Sequence, residues 1–274
     1  MKVQYNFDLK DGYLVAFIDI IGFSNLMREN QNIDNNSKGF TINYSVFFDN
    51  ILNKYTEEYQ KLKGIKFLFI SDSIFISTEN CNFDSLIEEI RYICEQLFSC
   101  SLSFRGGIAE GKLHFENNIW GPSVVEAVEL EKTAHNPCII IKKSTIEMYL
   151  DKVNAAYFKP VYYDPTKGCK TDYLFYDFFL SCFNMLENDT LLPSFVSQYT
   201  KTIVENYNQC IDDKHKSKWR FLANELILAI RKKHIAIDKL YFDSLRKTSE
   251  PMLKESSYYI NMLKQICQEE NFNG

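Results

Sequence analysis

Paired cysteines, clustered histidines and long apolar runs are all missing from this chain of 274 residues. The eight cysteines are scattered without any C-x-x-C pair, which argues against a zinc site or a disulfide framework. The four histidines form no ligand-like pair, so a histidine-based metal site is not expected. Any metal chemistry would therefore have to rest on oxygen ligands.

A net positive charge is missing as well. The formal charge of −5 leaves no domain-wide positive field, so non-specific nucleic-acid binding is not expected. No apolar run approaches the roughly 18 residues that a membrane span requires. Residues 1–13 are mostly polar and do not resemble a secretory signal. We therefore expect a cytoplasmic protein with no membrane association.

The chain does have enough apolar residues for a sizeable core. Hydrophobic residues make up 46% and aromatic residues 15%, which suffices for one large domain or two small ones. Amphipathic helical periodicity without a strand pattern occupies three late stretches, at residues 193–210, 216–235 and 251–269. We predict one domain over residues 1–168 and a helical C-terminal extension over residues 169–274.

Strand and helix patterns alternate in the first of these two parts. Apolar runs predict strands at residues 15–21, 65–78 (a strand–turn–strand unit), 101–115 and 137–141. Helical spacing of apolar residues predicts helices at residues 40–63, 84–97 and 122–134. The order β-α-β-β-α-β is typical of a ferredoxin-like sheet. The predicted fold class is α+β, a ferredoxin-like βαββαβ core with the helical extension.

Two aspartates lie in or between these apolar runs. Asp19 is inside the first strand pattern, which Gly22 ends, and Asp72 separates two strand patterns at a hairpin tip. A carboxylate in such a place is costly unless something neutralises it. A shared divalent cation such as Mg²⁺ would do so, because hard cations take oxygen ligands. The alternative is that each aspartate caps a turn or pairs with a buried arginine.

Four features occur in a characteristic order: residues 17–24 (FIDIIGFS), Asp72, residues 105–111 (RGGIAEG) and residues 119–124 (IWGPSV). Together they resemble class III nucleotidyl cyclases, the catalytic domains of adenylate and guanylate cyclases. Residues 17–24 (FIDIIGFS) resemble the opening strand of that family, and Asp72 falls where its second metal-binding aspartate lies. Residues 105–111 (RGGIAEG) are similar to its R-x-G-I-x-x-G strand. Residues 119–124 (IWGPSV) are similar to its glycine turn into a helix. The resemblance extends over residues 12–143 and implies the fold predicted above.

The resemblance implies a two-metal reaction. A cyclase joins the ribose 3′-OH of a nucleoside triphosphate to its own α-phosphorus and releases pyrophosphate. Two Mg²⁺ or Mn²⁺ ions per active site would neutralise the phosphates and lower the pKa of the 3′-OH. The implied catalytic metal ligands are Asp19 and Asp72, together with the backbone carbonyl of Ile20.

Triphosphate contacts are implied for the turn that follows the first strand and for one arginine. The amides from Ile20 to Phe23, including that of Gly22, would face the triphosphate. Arg105 would contact it as a catalytic residue, because a guanidinium suits phosphate oxygens. For Arg105 the alternative is a structural ion pair with a neighbouring acid.

Other positions depart from the purine cyclases. At the two implied substrate-binding positions, Leu68 stands where those enzymes carry a charged base-reading residue, and Asn118 falls on the second base-reading position. The alternative for Asn118 is that it belongs to an ordinary turn. Val125 and Glu129 replace the usual transition-state asparagine and arginine. The departures at these four positions therefore predict either an inactive domain or an enzyme that accepts a base other than a purine.

Three segments have an amino-acid sequence that supports a more specific resemblance: residues 104–109 (FRGGIA), 121–131 (GPSVVEAVELE) and 218–223 (KWRFLA). These segments resemble the pyrimidine cyclases of the bacterial Pycsar anti-phage system. This implies a homodimer with composite active sites that converts UTP or CTP to cUMP or cCMP, with UTP favoured. A downstream effector would respond to the cyclic nucleotide. One alternative is a catalytically inactive cyclase-like module that binds a nucleotide or a partner. Another is a purine cyclase with an unusual pocket.

Four charged residues near these segments keep open interpretations. Lys142 and Lys143 come just after the strand predicted to end at residue 141, and either one of them reaches phosphate or both are ordinary surface lysines. Glu126 and Glu129 lie three apart on one side of a predicted helix. They either shape the base pocket, or hold an arginine of a partner subunit, or are ordinary exposed helix carboxylates.

Overall fold

The computed structural model describes residues 9–23, 44–115, 118–149, 155–161, 172–186, 192–233 and 250–268. Contacts divide the chain into two units, Met1–Tyr176 and Asp177–Gly274. The boundary expected between residues 168 and 169 lies outside the described residues, and the division by contacts falls later along the chain.

The first unit is built on a mixed β-sheet. Its strands are β1 (Lys10–Ile21), β2 (Ile65–Ile70), β3 (Ser73–Thr78), β4 (Ser103–Phe115), β5 (Ile119–Trp120), β6 (Ile139–Lys142), β7 (Phe158–Pro160) and β8 (Tyr173–Tyr176). They lie in the order β2-β3-β1-β4-β6-β8-β7, and β5 pairs with β4. The first four strands are antiparallel neighbours in the ferredoxin-like order. The predicted α+β class is confirmed.

The strand predicted at residues 137–141 is present as β6, and beyond it the sheet extends further than the sequence predicts. Strand β6 joins β4 in parallel, and β8 and β7 then continue the sheet in antiparallel pairs. Strands β7 and β8 have three and four residues, which is too short for a clear alternating pattern.

The helices of the first unit are α1 (Tyr44–Lys54), α2 (Glu57–Lys63), α3 (Phe83–Ser99), α4 (Pro122–Thr133) and α5 (Lys143–Met148). The single helix predicted over residues 40–63 is wrong within its described part, because α1 and α2 are separate. Thr56 accepts a hydrogen bond from the Tyr59 amide and so starts a new helix. Gly64 ends α2 at φ +62°, as a C-cap glycine should.

A buried carboxylate ties the first three helices together. Glu89 of α3 is fully buried and accepts 2.6 Å hydrogen bonds from the hydroxyls of Tyr55 and Tyr59. The Lys54 ammonium lies 2.7 Å from the same carboxylate and 3.7 Å from the centre of the Tyr92 ring. The charge of Glu89 is thus balanced inside the protein, as a buried carboxylate requires.

Strand β4 is continuous over 13 residues, although it contains Gly106, Gly107 and Gly111. The two adjacent glycines permit close packing. A Cβ atom on Gly106 would lie 2.4 Å from the Phe17 carbonyl oxygen, and one on Gly107 would lie 2.2 Å from the Ala127 carbonyl oxygen. No side chain fits at either position.

The second unit is helical in its described residues, as the periodicity predicts. Its helices are α6 (Phe178–Met185), α7 (Leu192–Gln209), α8 (Asp213–Lys232) and α9 (Glu250–Gln268). Helices α7, α8 and α9 pack on one another around Tyr199, Leu226 and Leu263, which are all buried. No helix among the described residues is both long and apolar enough to cross a membrane.

Candidate active site

Asp19 lies near the end of the central strand β1, between two neighbouring strands. It is directly opposite Ser73 of β3 and Arg105 of β4 in the sheet register. Directly opposed residues of antiparallel strands project from the same face, so Asp19 and Arg105 share a face. Their side chains are 25% and 32% exposed, which leaves both open to a ligand.

Asp72 occupies the tip of the β2–β3 hairpin, next to the end of β1. The preceding Ser71 takes a left-handed conformation at φ +59°, which closes the tight turn. The Ile20 amide donates a 2.9 Å hydrogen bond to the Asp72 carbonyl. The fold therefore brings the segments that carry Asp19 and Asp72 together, although they are far apart in sequence.

This hydrogen bond corrects one expectation. The Ile20 amide is used within the protein, so it does not face a triphosphate as the resemblance implies. The amides of the following turn remain candidates. Gly22 has φ +86° and is exposed, with no atom within 4 Å of where a Cβ would stand.

Phe23 packs beside this turn on the rings of other elements. Its ring centre lies 6.3 Å from that of Phe48 in α1, which lies 5.3 Å from that of Phe69 in β2. Phe48 therefore bridges the segment that follows Asp19 and the strand that precedes Asp72. This aromatic contact adds a side-chain link to the backbone link between the two segments.

Arg105 bridges two carboxylates. Its Nε contacts Oε1 of Glu131 in α4, and its Nη2 lies 3.5 Å from Oδ2 of Asp19. Glu131 is 5% exposed, so it is a buried acid whose charge Arg105 balances. The sequence reasoning assigned no role to Glu131. The available signal was a carboxylate on the buried stripe of α4, which also includes Ser123, Ala127 and Leu130.

Asp19 is electrostatically unfavourable as an anion in this setting. Burial raises the pKa of Asp19, the charge of Glu131 raises it further, and Asp72 adds to the effect. The guanidinium of Arg105 opposes these influences without cancelling them. A bound cation would relieve this cost, because it favours the charged form of a carboxylate.

The donor set suits a hard divalent cation. Among the described residues there is no group of three or more His, Cys, Asp or Glu side chains that could hold a metal. A pair of carboxylates is nevertheless the usual protein contribution to Mg²⁺, which keeps waters and substrate phosphates as its other ligands. Asp19 and Asp72 therefore fit Mg²⁺ or Mn²⁺ bound together with a phosphate ligand.

The two expected base-contacting residues lie in different places. Leu68 is half-buried on β2, opposite Phe75, and its face of the sheet is that of Asp19. Asn118 is exposed in the turn between β4 and β5, and its Oδ1 accepts a 2.9 Å hydrogen bond from the Ile119 amide. That turn is at the opposite end of the β1–β4 pair from Asp19. Within one chain, the structure does not bring Asn118 to the carboxylates.

One contact within the chain bears on the open interpretations of Lys142 and Glu126. The Lys142 ammonium lies 2.6 Å from Oε1 of Glu126, and this hydrogen bond raises the pKa of Lys142. Lys142 is thus paired with a helix carboxylate of its own chain. Val125 and Glu129 are exposed on the same helix.

No protein-family profile matches the chain, and no curated protein matches it. Parts of solved structures are similar. A guanylyl cyclase domain of the RhoGC fusion protein from the aquatic fungus Blastocladiella emersonii is 15% identical, with a TM-score of 0.44, over 62% of this chain and 98% of that one.

Two further solved structures show the same level of likeness. The adenylyl cyclase CyaB from P. aeruginosa is 16% identical, with a TM-score of 0.40, over 62% of this chain and 96% of that one. The catalytic core of a rhodopsin-guanylyl cyclase with converted specificity, in complex with ATPalphaS, is 18% identical, with a TM-score of 0.42, over 61% of this chain and 97% of that one.

Proposed function

We propose that this chain is a nucleotide cyclase that depends on Mg²⁺ or Mn²⁺. The observation that carries the proposal is the Ile20–Asp72 backbone hydrogen bond, which joins the segments that carry Asp19 and Asp72, with Arg105 on the same face as Asp19. The two carboxylates and the Ile20 carbonyl would hold the metal. When bound, the metal neutralises phosphate charge and lowers the pKa of the attacking hydroxyl.

The protein's own groups would bind and orient the triphosphate. In the reaction the 3′-oxygen forms a bond to the α-phosphorus, the bond from that phosphorus to the bridging oxygen breaks, and pyrophosphate leaves. The 3′-hydroxyl proton passes to solvent. Arg105 would stabilise the charge that grows on the pyrophosphate, since its planar donors match phosphate oxygens.

The proposed substrate is a pyrimidine nucleoside triphosphate, with UTP preferred over CTP. Two features support it: the resemblance of residues 121–131 to pyrimidine cyclases, and an apolar residue, Leu68, where purine cyclases carry a charge. The product, cUMP or cCMP, would act as a second messenger for an effector in anti-phage defence. An uncharged amide such as Asn118 could serve either pyrimidine.

The proposed assembly is a homodimer with composite sites. Asn118 and Asp19 lie at opposite ends of one strand pair, so a base contact by Asn118 requires a second molecule. A two-fold dimer in which the strand ends of one subunit meet those of the other would supply it twice.

One observation favours a second candidate, a non-catalytic module that binds nucleotide and signals by conformation. Arg105 is already engaged by Glu131 and Asp19. In an inactive domain Arg105 would stay in this ion pair permanently. The replacement of the usual transition-state asparagine and arginine by Val125 and Glu129 would fit the same absence of catalysis.

The test is incubation of the purified protein with each of the four nucleoside triphosphates and Mn²⁺, followed by chromatography for cyclic products. Asp72→Asn is the inactive control, and Glu88→Gln, an exposed carboxylate on α3, is the charge-matched control. We expect cUMP to exceed cCMP when UTP and CTP compete at equal concentration. Predominant cCMP would overturn the UTP preference, and predominant cAMP or cGMP would overturn the assignment to pyrimidine substrates. The absence of any cyclic product with all four nucleotides would overturn the assignment as an enzyme.

A further inference from the structure

Glu131 is a buried acid with no part in the mechanism described so far. It lies in the last turns of α4, on the face that packs against the sheet. Its side chain is 6% exposed, and its contact with Nε of Arg105 is the closer of the two that the arginine makes. Burial of a carboxylate is unfavourable unless the charge is matched, so this pair is a specific feature of the fold.

The fold makes this contact possible through a missing side chain. Gly107 follows Arg105 by two residues on β4 and so shares its face. A Cβ there would lie 2.6 Å from the Cβ of Leu130 and 3.0 Å from the Glu131 amide nitrogen. Helix α4 therefore approaches β4 as closely as backbone permits, which places the Glu131 carboxylate over Arg105.

The two contacts of Arg105 differ in a way that matters for binding. The Nε contact with Glu131 is short and buried, whereas the Nη2 contact with Asp19 is 3.5 Å and partly exposed. A guanidinium has five N–H donors in one plane, so fixing Nε also fixes the direction of the Nη edge. That edge points toward Asp19, where the metal-bound phosphates are proposed to lie.

We propose that Glu131 is a positioning residue for triphosphate recognition. It retains Nε of Arg105 while the Nη edge exchanges the carboxylate of Asp19 for the phosphate oxygens of the substrate. The exchange frees Asp19 to bind the cation, and the half-buried guanidinium of Arg105 keeps two anionic partners throughout. This inference rests on the proposed function, because it assumes that a nucleoside triphosphate binds beside Asp19.

The contrast with the Lys142–Glu126 pair shows why Glu131 is distinctive. Like the Arg105–Glu131 pair, the Lys142–Glu126 pair joins a strand to α4, in this case β6. The lysine side chain of that pair is, however, 45% exposed and the glutamate side chain 33% exposed. Water can replace either partner there, so that pair gains little from its geometry. Around Arg105 water is largely excluded on the Glu131 side, so the carboxylate sets the orientation.

The experiment measures the binding of inorganic triphosphate with Mg²⁺ by calorimetry, which needs no turnover. The variants are Glu131→Gln, Arg105→Ala and the double variant, with Glu88→Gln as the control. We expect Glu131→Gln to weaken binding roughly tenfold or more, as the loss of one partner of a buried ion pair does. The double variant should bind no more weakly than Arg105→Ala, because Glu131 acts through the arginine. With nucleotide, KM should rise more than kcat falls.

Three results would overturn the inference. One is unchanged triphosphate affinity in folded Glu131→Gln together with a lower melting temperature, which identifies a purely structural pair. Another is a further loss of affinity when Glu131→Gln is added to Arg105→Ala. If Glu131→Gln does not fold, Glu131→Asp replaces it, because that variant keeps the charge on a shorter side chain. The third overturning result is a wild-type affinity for triphosphate in Glu131→Asp.

The same measurements separate this inference from the proposed function. Wild-type protein that binds triphosphate through Arg105 and Glu131 but forms no cyclic product retains the positioning role and rejects the cyclase assignment. Cyclic product with unaltered kinetics in Glu131→Gln rejects the positioning role alone. Wild-type protein that binds no triphosphate rejects both.

Discussion

The Ile20 amide donates a 2.9 Å hydrogen bond to the carbonyl of Asp72, and this joins the end of β1 to the tip of the β2–β3 hairpin. The relative placement of Asp19 and Asp72 is therefore set by main-chain atoms. Substitution of either side chain leaves this link in place, so variants at the two positions report on charge and not on the arrangement of the strands.

We expect Asp19→Asn and Asp72→Asn each to abolish cyclic-nucleotide formation with Mn²⁺. Each removes one anionic oxygen donor from the proposed metal site while keeping size and shape. Chromatographic product assays on folded protein check this expectation. Near wild-type activity in either variant would show that the metal assignment is wrong.

Without divalent cations, Asp19→Asn should melt at a higher temperature than wild type at neutral pH. The pKa of Asp19 is raised, mainly by burial, so folding favours the protonated carboxyl and the ionised form lowers stability. The penalty is absent below the unfolded pKa of about 4 and grows as the pH rises through the folded value. Thermal melts in chelator across this range should show the advantage of the variant vanish in acid. A variant that melts at or below wild type at neutral pH contradicts the argument.

Gly107→Ala should destabilise the first unit strongly, by about 2 kcal/mol or more, as overpacking of a tight contact does. The added methyl would meet the Ala127 carbonyl oxygen of α4 at 2.2 Å. Gly64→Ala is the matched control, because nothing lies within 4 Å of its Cβ position and only its φ of +62° opposes alanine. Urea unfolding compares the two. An equal loss at both positions would mean that α4 can move away without cost.

Tyr55→Phe should lower the free energy of unfolding by about 1–3 kcal/mol, because it removes a donor from the buried Glu89 carboxylate. The exposed Tyr258→Phe serves as the control. The pKa values of Tyr55 and Tyr59 are raised by burial and by the Glu89 charge.

The same tyrosines predict instability in alkali. Because their folded pKa values lie above the unfolded value of about 10, their contribution is complete below that pH and is lost as the pH rises beyond it. Urea midpoints measured into the alkaline range should fall less steeply for Tyr55→Phe than for wild type. Parallel pH profiles would assign the alkaline loss to other groups.

Lys142→Ala should leave the KM for nucleotide within about twofold of wild type, because its ammonium is bound to Glu126 and its partly exposed pair contributes little. Arg105→Ala provides the comparison, with a large rise in KM. Steady-state kinetics on both variants decide the matter, and a rise of similar size for Lys142→Ala would place that lysine at the phosphate.

The parts of this molecule that local patterns determine could be predicted from the sequence. The apolar runs predict the strand that carries Asp19 and the two strands that flank Asp72, and Gly64 predicts the end of α2. The pairing of Arg105 with Glu131 could not be predicted, because it depends on how α4 is aligned over β4 at Gly107. That alignment is a tertiary property, and an acid on a buried helical stripe is its only trace in the sequence.

Two other features could not be predicted from the sequence for the same reason: the hydrogen bond of the Ile20 amide and the division of α1 from α2. Whether the Ile20 amide is occupied depends on where the hairpin tip folds back, which no local pattern specifies. The division of α1 from α2 depends on Thr56, whose side-chain acceptor competes with helix continuation. Such competition is decided by surrounding packing, and a threonine alone does not predict its outcome.

The placement of Asn118 and Asp19 at opposite ends of the β1–β4 pair makes the proposed activity a property of pairs of molecules. About 30 Å of strand separates the two ends, at ~3.3 Å per residue. Two chains damaged at different ends, one at Asp19 and one at Asn118, could each supply what the other lacks, so that a mixture would regain turnover through one intact site per mixed pair. The same dependence would make the rate per chain fall on dilution, which links signal output to the amount of protein in the cell.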